Sequence, residues 1–161
     1  WFGHQHFDVV PDVVTMAKAL GNGVPIGACW ARAEVADVFE PGDHATTFGG
    51  QPLAAAAARA VLSVMEAEDV PARATAAGKM LMSALQGLDG VREVRGLGLL
   101  IAAELDGGDA RLVAQAALER GLIVNAITPT ALRFAPSLLV SDGEINEAIE
   151  LLAHALADAA P

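Results

Sequence analysis

Pro11-Asp12-Val13-Val14-Thr15-Met16-Ala17-Lys18-Ala19-Leu20-Gly21-Asn22-Gly23-Val24-Pro25-Ile26-Gly27-Ala28 is the stretch on which the reading of the fold turns. Val13 to Met16 is continuously apolar or β-branched, the pattern of a short buried strand rather than of a half-buried alternating one. Gly21-Asn22-Gly23 is a strong turn signal, and residues 26–31 read as a second strand. Lys18 stands between strand and turn. Glycines at such a place let the backbone approach a ligand closely, and an amine withdrawn from water sheds its proton more readily and can form a Schiff base with an aldehyde. On spacing alone, a surface lysine at a strand end remains the plainer reading.

Downstream, residues 34–39 suggest a short helix, Pro41-Gly42-Asp43 breaks the chain, and His44 to Gly50 is a polar loop. An alanine-rich helix over 52–67 follows, with Pro52 suited to its first turn. Thr46, Thr47, Gly49 and Gly50 precede that helix, where hydroxyls and free N–H groups favour an oxyanion or a phosphate. An ordinary helix cap is the alternative.

After Glu68-Asp69 the texture changes. Residues 71–88 carry a helical stripe of Ala77, Leu81 and Leu85. Two strands over 91–94 and 99–105 are expected to flank a tight Arg95-Gly96-Leu97-Gly98 turn. Gly107-Gly108-Asp109 introduces a helix that stops at Gly121. Residues 122–126 and 131–135 read as short strands, the second carrying Arg133 amid apolar neighbours. A guanidinium there needs a partner, and its planar fork suits a carboxylate; a structural ion pair is the even alternative. Ser141 with Glu144 forms a capping box, followed by the apolar stripe Ile145, Ile149, Leu152 and Leu156.

The 161 residues carry 10 Lys and Arg against 20 Asp and Glu, a formal net charge of -10. Such an acidic chain repels phosphate backbones, which argues against nucleic-acid binding. With 53% apolar and 19% charged residues, intrinsic disorder is excluded as well. No apolar run is long enough for a membrane span, no signal peptide opens the chain, and the single cysteine, Cys29, fits a reducing, cytoplasmic setting. Trp1 is not an initiator methionine, and the chain is expected to be a fragment of a longer protein.

Other polar groups are weaker candidates. His4 and His6 at i,i+2 could share one side of a strand, but no third ligand follows at metal spacing, so no metal site is expected. His44 could shape the polar loop, and His154 is expected on the polar side of the last helix. Cys29 reads as a small buried hydrophobe. Asp106 to Asp109 reads as a turn and a helix cap rather than a calcium loop, and Gly96-x-Gly98 lacks the third glycine and following helix of a dinucleotide fingerprint.

Taken in order, four stretches resemble the C-terminal part of the class III, pyridoxal-phosphate-dependent aminotransferases. Residues 11–28 look like that family's cofactor-lysine segment. His44-Ala45-Thr46-Thr47-Phe48-Gly49-Gly50-Gln51-Pro52 is similar to its phosphate-contacting loop. Arg95-Gly96-Leu97-Gly98-Leu99-Leu100-Ile101 is similar to its small-domain turn. Gly121-Leu122-Ile123-Val124-Asn125, with Leu132-Arg133-Phe134-Ala135-Pro136-Ser137-Leu138, resembles its substrate-carboxylate segment. Gln51 and Ser137 depart from the family's usual asparagine and proline.

The resemblance implies an α/β architecture of fold type I, with residues 1–69 closing the large cofactor-binding domain and 70–161 forming an α+β small domain. It implies pyridoxal 5'-phosphate as cofactor and Lys18 as its Schiff-base lysine. Thr47 would contact the cofactor phosphate in the partner subunit of a homodimer, and Arg133 would bind the substrate α-carboxylate. The implied reaction moves the terminal amine of N-acetylornithine to 2-oxoglutarate in arginine biosynthesis, with ornithine or 4-aminobutyrate as alternative amino donors. The family's aspartate for the pyridine nitrogen, its stacking aromatic and its Gly-Ser/Thr turn all fall upstream of Trp1. The polypeptide alone is therefore expected to be inactive, and a non-catalytic dimer-forming role is the alternative from outside enzymology.

Overall fold

The computed structural model describes residues 1–159. The chain divides into two compact units, Trp1–Glu68 and a second beginning at Asp69. Asp69 itself has a left-handed backbone, φ 44°.

In the first unit, a 3-10 turn over Gly3–His6 leads to β1 (Val13–Met16) and a second 3-10 turn, Lys18–Leu20. Strand β2 (Ala28–Ala31) pairs antiparallel with β1, aligning Val13 with Ala31 and Met16 with Ala28. The Arg32 N–H donates to the Asp12 carbonyl at 3.0 Å, and Arg32 Nε lies 3.4 Å from Asp12 Oδ1, which ties off the open end of this ribbon. A single helical turn, α1 (Ala33–Ala36), and a long polar loop precede α2 (Pro52–Ala67). Proline in the first turn costs α2 no hydrogen bond, and its alanines are the best helix formers.

Two expectations fail in this unit, and the strand placement weighed for His4 and His6 is not found. The apolar run of β1 is exposed or half-buried, and Cys29 on β2 is exposed rather than buried. A two-stranded ribbon offers too few layers to cover its own side chains. His4 and His6 lie on the 3-10 turn instead of a strand, where the His4 ring stacks on Phe2 with centroids 5.9 Å apart.

The second unit is a two-layer α+β sandwich. Its four-stranded antiparallel sheet has the order β3-β4-β6-β5, formed by β3 (Val91–Leu97), β4 (Leu100–Leu105), β6 (Ala131–Phe134) and β5 (Asn125–Ala126). Helices α3 (Val70–Gln86), α4 (Ala110–Glu119) and α5 (Asp142–Asp158) pack against it and one another. On the helix-facing side Ile101, Ala103 and Leu105 are buried, and Leu85, Leu132, Ile145 and Leu152 complete the centre. Each large side chain so buried contributes roughly 1.5–3 kcal/mol. The helix boundaries follow local chemistry. Asp109 Oδ1 accepts the Arg111 N–H at 2.8 Å at the start of α4, and Ser141 and Glu144 cap α5 reciprocally.

The β3–β4 hairpin differs from its expected form. Arg95, Gly96 and Leu97 belong to β3, and the loop is only Gly98-Leu99, with Gly98 at φ +55°. Gly96 is needed for room rather than for turning: a Cβ on it would meet the Leu100 carbonyl oxygen at 2.4 Å. On the helix side, a Cβ on Gly78 of α3 would meet the Gly98 oxygen at 2.1 Å. Helix and hairpin therefore touch backbone to backbone. Strand β5 is also shorter than expected, since only Asn125 and Ala126 find partners on β6.

Candidate active site

Lys18 opens the 3-10 turn directly after β1 with φ +52°, a left-handed conformation rare for a residue bearing a Cβ. The backbone stays tightly wound beyond it. Asn22 has φ +45°, Gly23 φ +109°, and the Val24 N–H closes onto the Gly21 carbonyl at 3.1 Å. Gly21 is buried, and a Cβ there would meet the Val24 oxygen at 2.2 Å. The exposed Lys18 side chain borders an open cavity of about 480 Å³ with Gly23, Val24, Pro25 and Ile26. Helix α2 packs against this turn.

Thr47 lies on the exposed loop preceding α2. No side chain caps α2 at Gln51, so the N–H groups of its first turn are left for an acceptor from outside the helix. Gly50 bends the loop at φ +68°, and a Cβ on Gly49 would collide with the Thr46 methyl. His44 packs edge-on against Phe39, with centroids 5.2 Å apart.

Arg133 belongs to the second unit. Its strand register sets Ala102 on β4 and Asn125 on β5 directly beside it, on the sheet face away from the buried row of Leu132 and Phe134. Arg133 Nη2 donates to Asn125 Oδ1 at 3.2 Å, and Arg133 enters no ion pair among the described residues. The structural salt bridge weighed from the sequence is thus not formed among the described residues. Glu104 points from the same sheet face one pairing step away. Thr130 Oγ1 donates to Glu104 Oε1, Arg95 Nη1 lies 3.1 Å from Oε2 and Arg92 Nη2 3.8 Å from Oε1. The Thr130 hydroxyl above all, then Arg95, holds the Glu104 carboxyl below its ordinary range. Glu144, which lines a cavity of about 200 Å³ with Arg133 and Asn125, spends its carboxylate on Ser141.

Lys18 and Thr47 therefore sit in the first unit and Arg133 in the second. Sequence reasoning gave no role to Asn125 or Thr130. The available signal was a polar residue ending an apolar run eight positions before Arg133, which a hairpin centred between them would set opposite it. Among the described residues, no three His, Cys, Asp or Glu side chains gather as a metal site requires, and no helix is long and apolar enough to cross a membrane.

The family model for class-III aminotransferases matches residues 1–156. The chain belongs to that family. Among curated class-III relatives, acetylornithine aminotransferase from Corynebacterium efficiens is 48% identical over 158 residues, covering 98% of this chain and 39% of that protein. The acetylornithine aminotransferase of Caldanaerobacter subterraneus subsp. tengcongensis is 44% identical over 161 residues, covering 98% of this chain and 41% of its own length. The chain thus spans about two fifths of these class-III relatives. Among solved structures, ornithine aminotransferase from Toxoplasma gondii superposes with TM-score 0.84 at 34% identity, over 96% of this chain and 38% of that one. An S-selective transaminase from Arthrobacter sp. gives TM-score 0.88 at 28% identity, over 98% and 41%. The fold is that of the corresponding part of the type I, pyridoxal-phosphate-dependent transaminases.

Proposed function

We propose that this chain is part of a pyridoxal-phosphate-dependent aminotransferase that moves the terminal amine of N-acetylornithine to 2-oxoglutarate in cytoplasmic arginine biosynthesis. The observation that carries the reading is Arg133, a guanidinium on a sheet face whose partner among the described residues is a neutral amide, in a family whose donor and acceptor both present carboxylates. Relatives at 44–48% identity bearing the acetylornithine name favour that donor over ornithine. The likeness to a solved ornithine aminotransferase keeps the latter as the second reading.

The residues present suit the cofactor. A lysine beside an open cavity fits an aldehyde, and the uncapped α2 with the Thr47 loop fits a phosphate. When bound, pyridoxal 5'-phosphate supplies the electron sink that lets an amine-bearing carbon lose its proton. Lys18 would hold the cofactor covalently, and its Nζ would move the proton between the amine-bearing carbon and C4′ of the cofactor. Arg133 would bind a substrate carboxylate through paired N–H donors, orienting the molecule that carries it. Thr47 would donate a hydrogen bond from its hydroxyl to the cofactor phosphate of the partner subunit in a homodimer, with residues 1–69 closing the large domain and 70–161 forming the small one. Exposed apolar side chains in the first unit, Phe48 at 76% and Phe7 at 65%, agree with a face that an assembly covers.

Borohydride reduction of the full-length holoprotein followed by peptide mapping tests the reading. The phosphopyridoxyl label is expected on Lys18; a label on Lys79, the other lysine of this chain, or elsewhere refutes it.

A further inference from the structure

We infer that Asn125 is a positioning residue for carboxylate binding: its side-chain carbonyl holds the Arg133 guanidinium by one edge without neutralising it. This rests on the assignment of Arg133 to the substrate carboxylate. The two residues are directly opposed across the β5–β6 pair, so their side chains leave the same sheet face at the closest cross-strand spacing. Asn125 Oδ1 takes one N–H of Arg133 at 3.2 Å. A guanidinium carries five N–H donors in a rigid plane, so one such contact orients the plane and leaves paired donors free for a carboxylate.

The surroundings keep that charge available. The acid on the same sheet face, Glu104, is engaged by the Thr130 hydroxyl and by Arg95 and Arg92. Glu144, on the wall of the same cavity, is turned into the α5 cap by the Ser141 N–H and hydroxyl at 2.8 and 2.7 Å. Among the described residues, the side chain that hydrogen-bonds Arg133 is an amide, which accepts a hydrogen bond and carries no charge. An aspartate at 125 would accept the same hydrogen bond, form an ion pair, and oblige every incoming carboxylate to displace it. The identity of residue 125 therefore sets affinity for the carboxylate that Arg133 takes.

The test uses the full-length holoprotein, with glutarate as an unreactive dicarboxylate probe titrated calorimetrically and KM and kcat measured for donor and 2-oxoglutarate. Asn125→Ala is expected to weaken glutarate binding and raise KM for 2-oxoglutarate by about threefold to tenfold, with kcat nearly unchanged. Asn125→Asp is expected to weaken both by more, about tenfold or beyond, towards the level of Arg133→Ala. Parent-like glutarate affinity in both Asn125 variants, beside a weakened Arg133→Ala, overturns the inference and leaves the role of Arg133 intact. A smaller effect for aspartate than for alanine overturns it too, because charge neutrality is then not what matters. Unchanged binding in Arg133→Ala overturns the inference together with the assignment beneath it.

Discussion

Replacing Gly78 by alanine sets two effects of opposite sign against each other. Glycine inside a helix is less favourable than alanine by about 1 kcal/mol, so the substitution alone should stabilise α3. At this position, however, the new Cβ would lie 2.1 Å from the Gly98 oxygen and 2.5 Å from its carbonyl carbon. Real contacts of this kind stay beyond 3.0 Å, so helix and hairpin must separate by about 1 Å. Neither side can yield by rotating a side chain, since both are backbone, and the Gly98 loop is already at φ +55°. Overpacking of a close-packed contact costs about 3 kcal/mol at the upper end of its usual range. The net loss is about 2 kcal/mol, and for a domain of this size that lowers Tm by roughly 8–16 °C. Thermal unfolding followed by far-UV circular dichroism reads the result. A rise of about 4–8 °C, the response of a helix glycine with free space around it, would refute the backbone contact.

In the full-length enzyme, Arg133→Ala should raise KM for 2-oxoglutarate by about ten- to hundredfold, since hydrogen bonds to charged groups contribute roughly 1.5–3 kcal/mol; unchanged steady-state kinetics would remove Arg133 from the site. Glu104 is held below its ordinary range in the fold, so its stabilising contribution is present above the unfolded carboxyl value, about 4.3, and is lost as pH falls through the lower folded value. Thr130→Val, which removes the largest cause of that shift, should therefore shrink the difference in Tm between pH 7 and pH 3; an undiminished difference would count against it. Ser141→Ala removes one side of the α5 capping box and should cost about 1 kcal/mol in urea unfolding, with the m-value unchanged. The 161-residue polypeptide by itself should show no transamination in a coupled glutamate assay, because Lys18 and Thr47 stand on exposed surface without an enclosed pocket around them; turnover at the full-length rate would contradict this.

Elements governed by neighbours in sequence were legible. The proline-led, alanine-rich α2, the Asp109 and Ser141 caps, and the stop at Gly121 each follow from a handful of adjacent residues. Gly96 was misread because a glycine needed for closeness and one needed for a turn look alike in a string. Only the pairing of β3 with β4 reveals that Gly96 sits in a strand beside Ile101. Val13–Met16 shows a related limit: an apolar run records a demand for cover, whereas its exposure depends on what lies beside it. For the site, Lys18, Thr47 and Arg133 could be singled out as residue types in suitable places, and their coherence came from the family resemblance. Asn125 could not, because its meaning is a cross-strand register that exists only once β5 and β6 have paired.

The left-handed backbone at Lys18 has a consequence for anyone breeding sturdier forms of this protein. A residue with a Cβ held at φ +52° stores roughly 1 kcal/mol or more that glycine would release. Directed evolution scored on heat tolerance alone should thus drift towards glycine or asparagine at position 18, gathering robust descendants without the amine proposed to hold the cofactor. Rounds of selection would need to alternate between endurance and turnover, because at this one position the two pressures pull the codon in opposite directions.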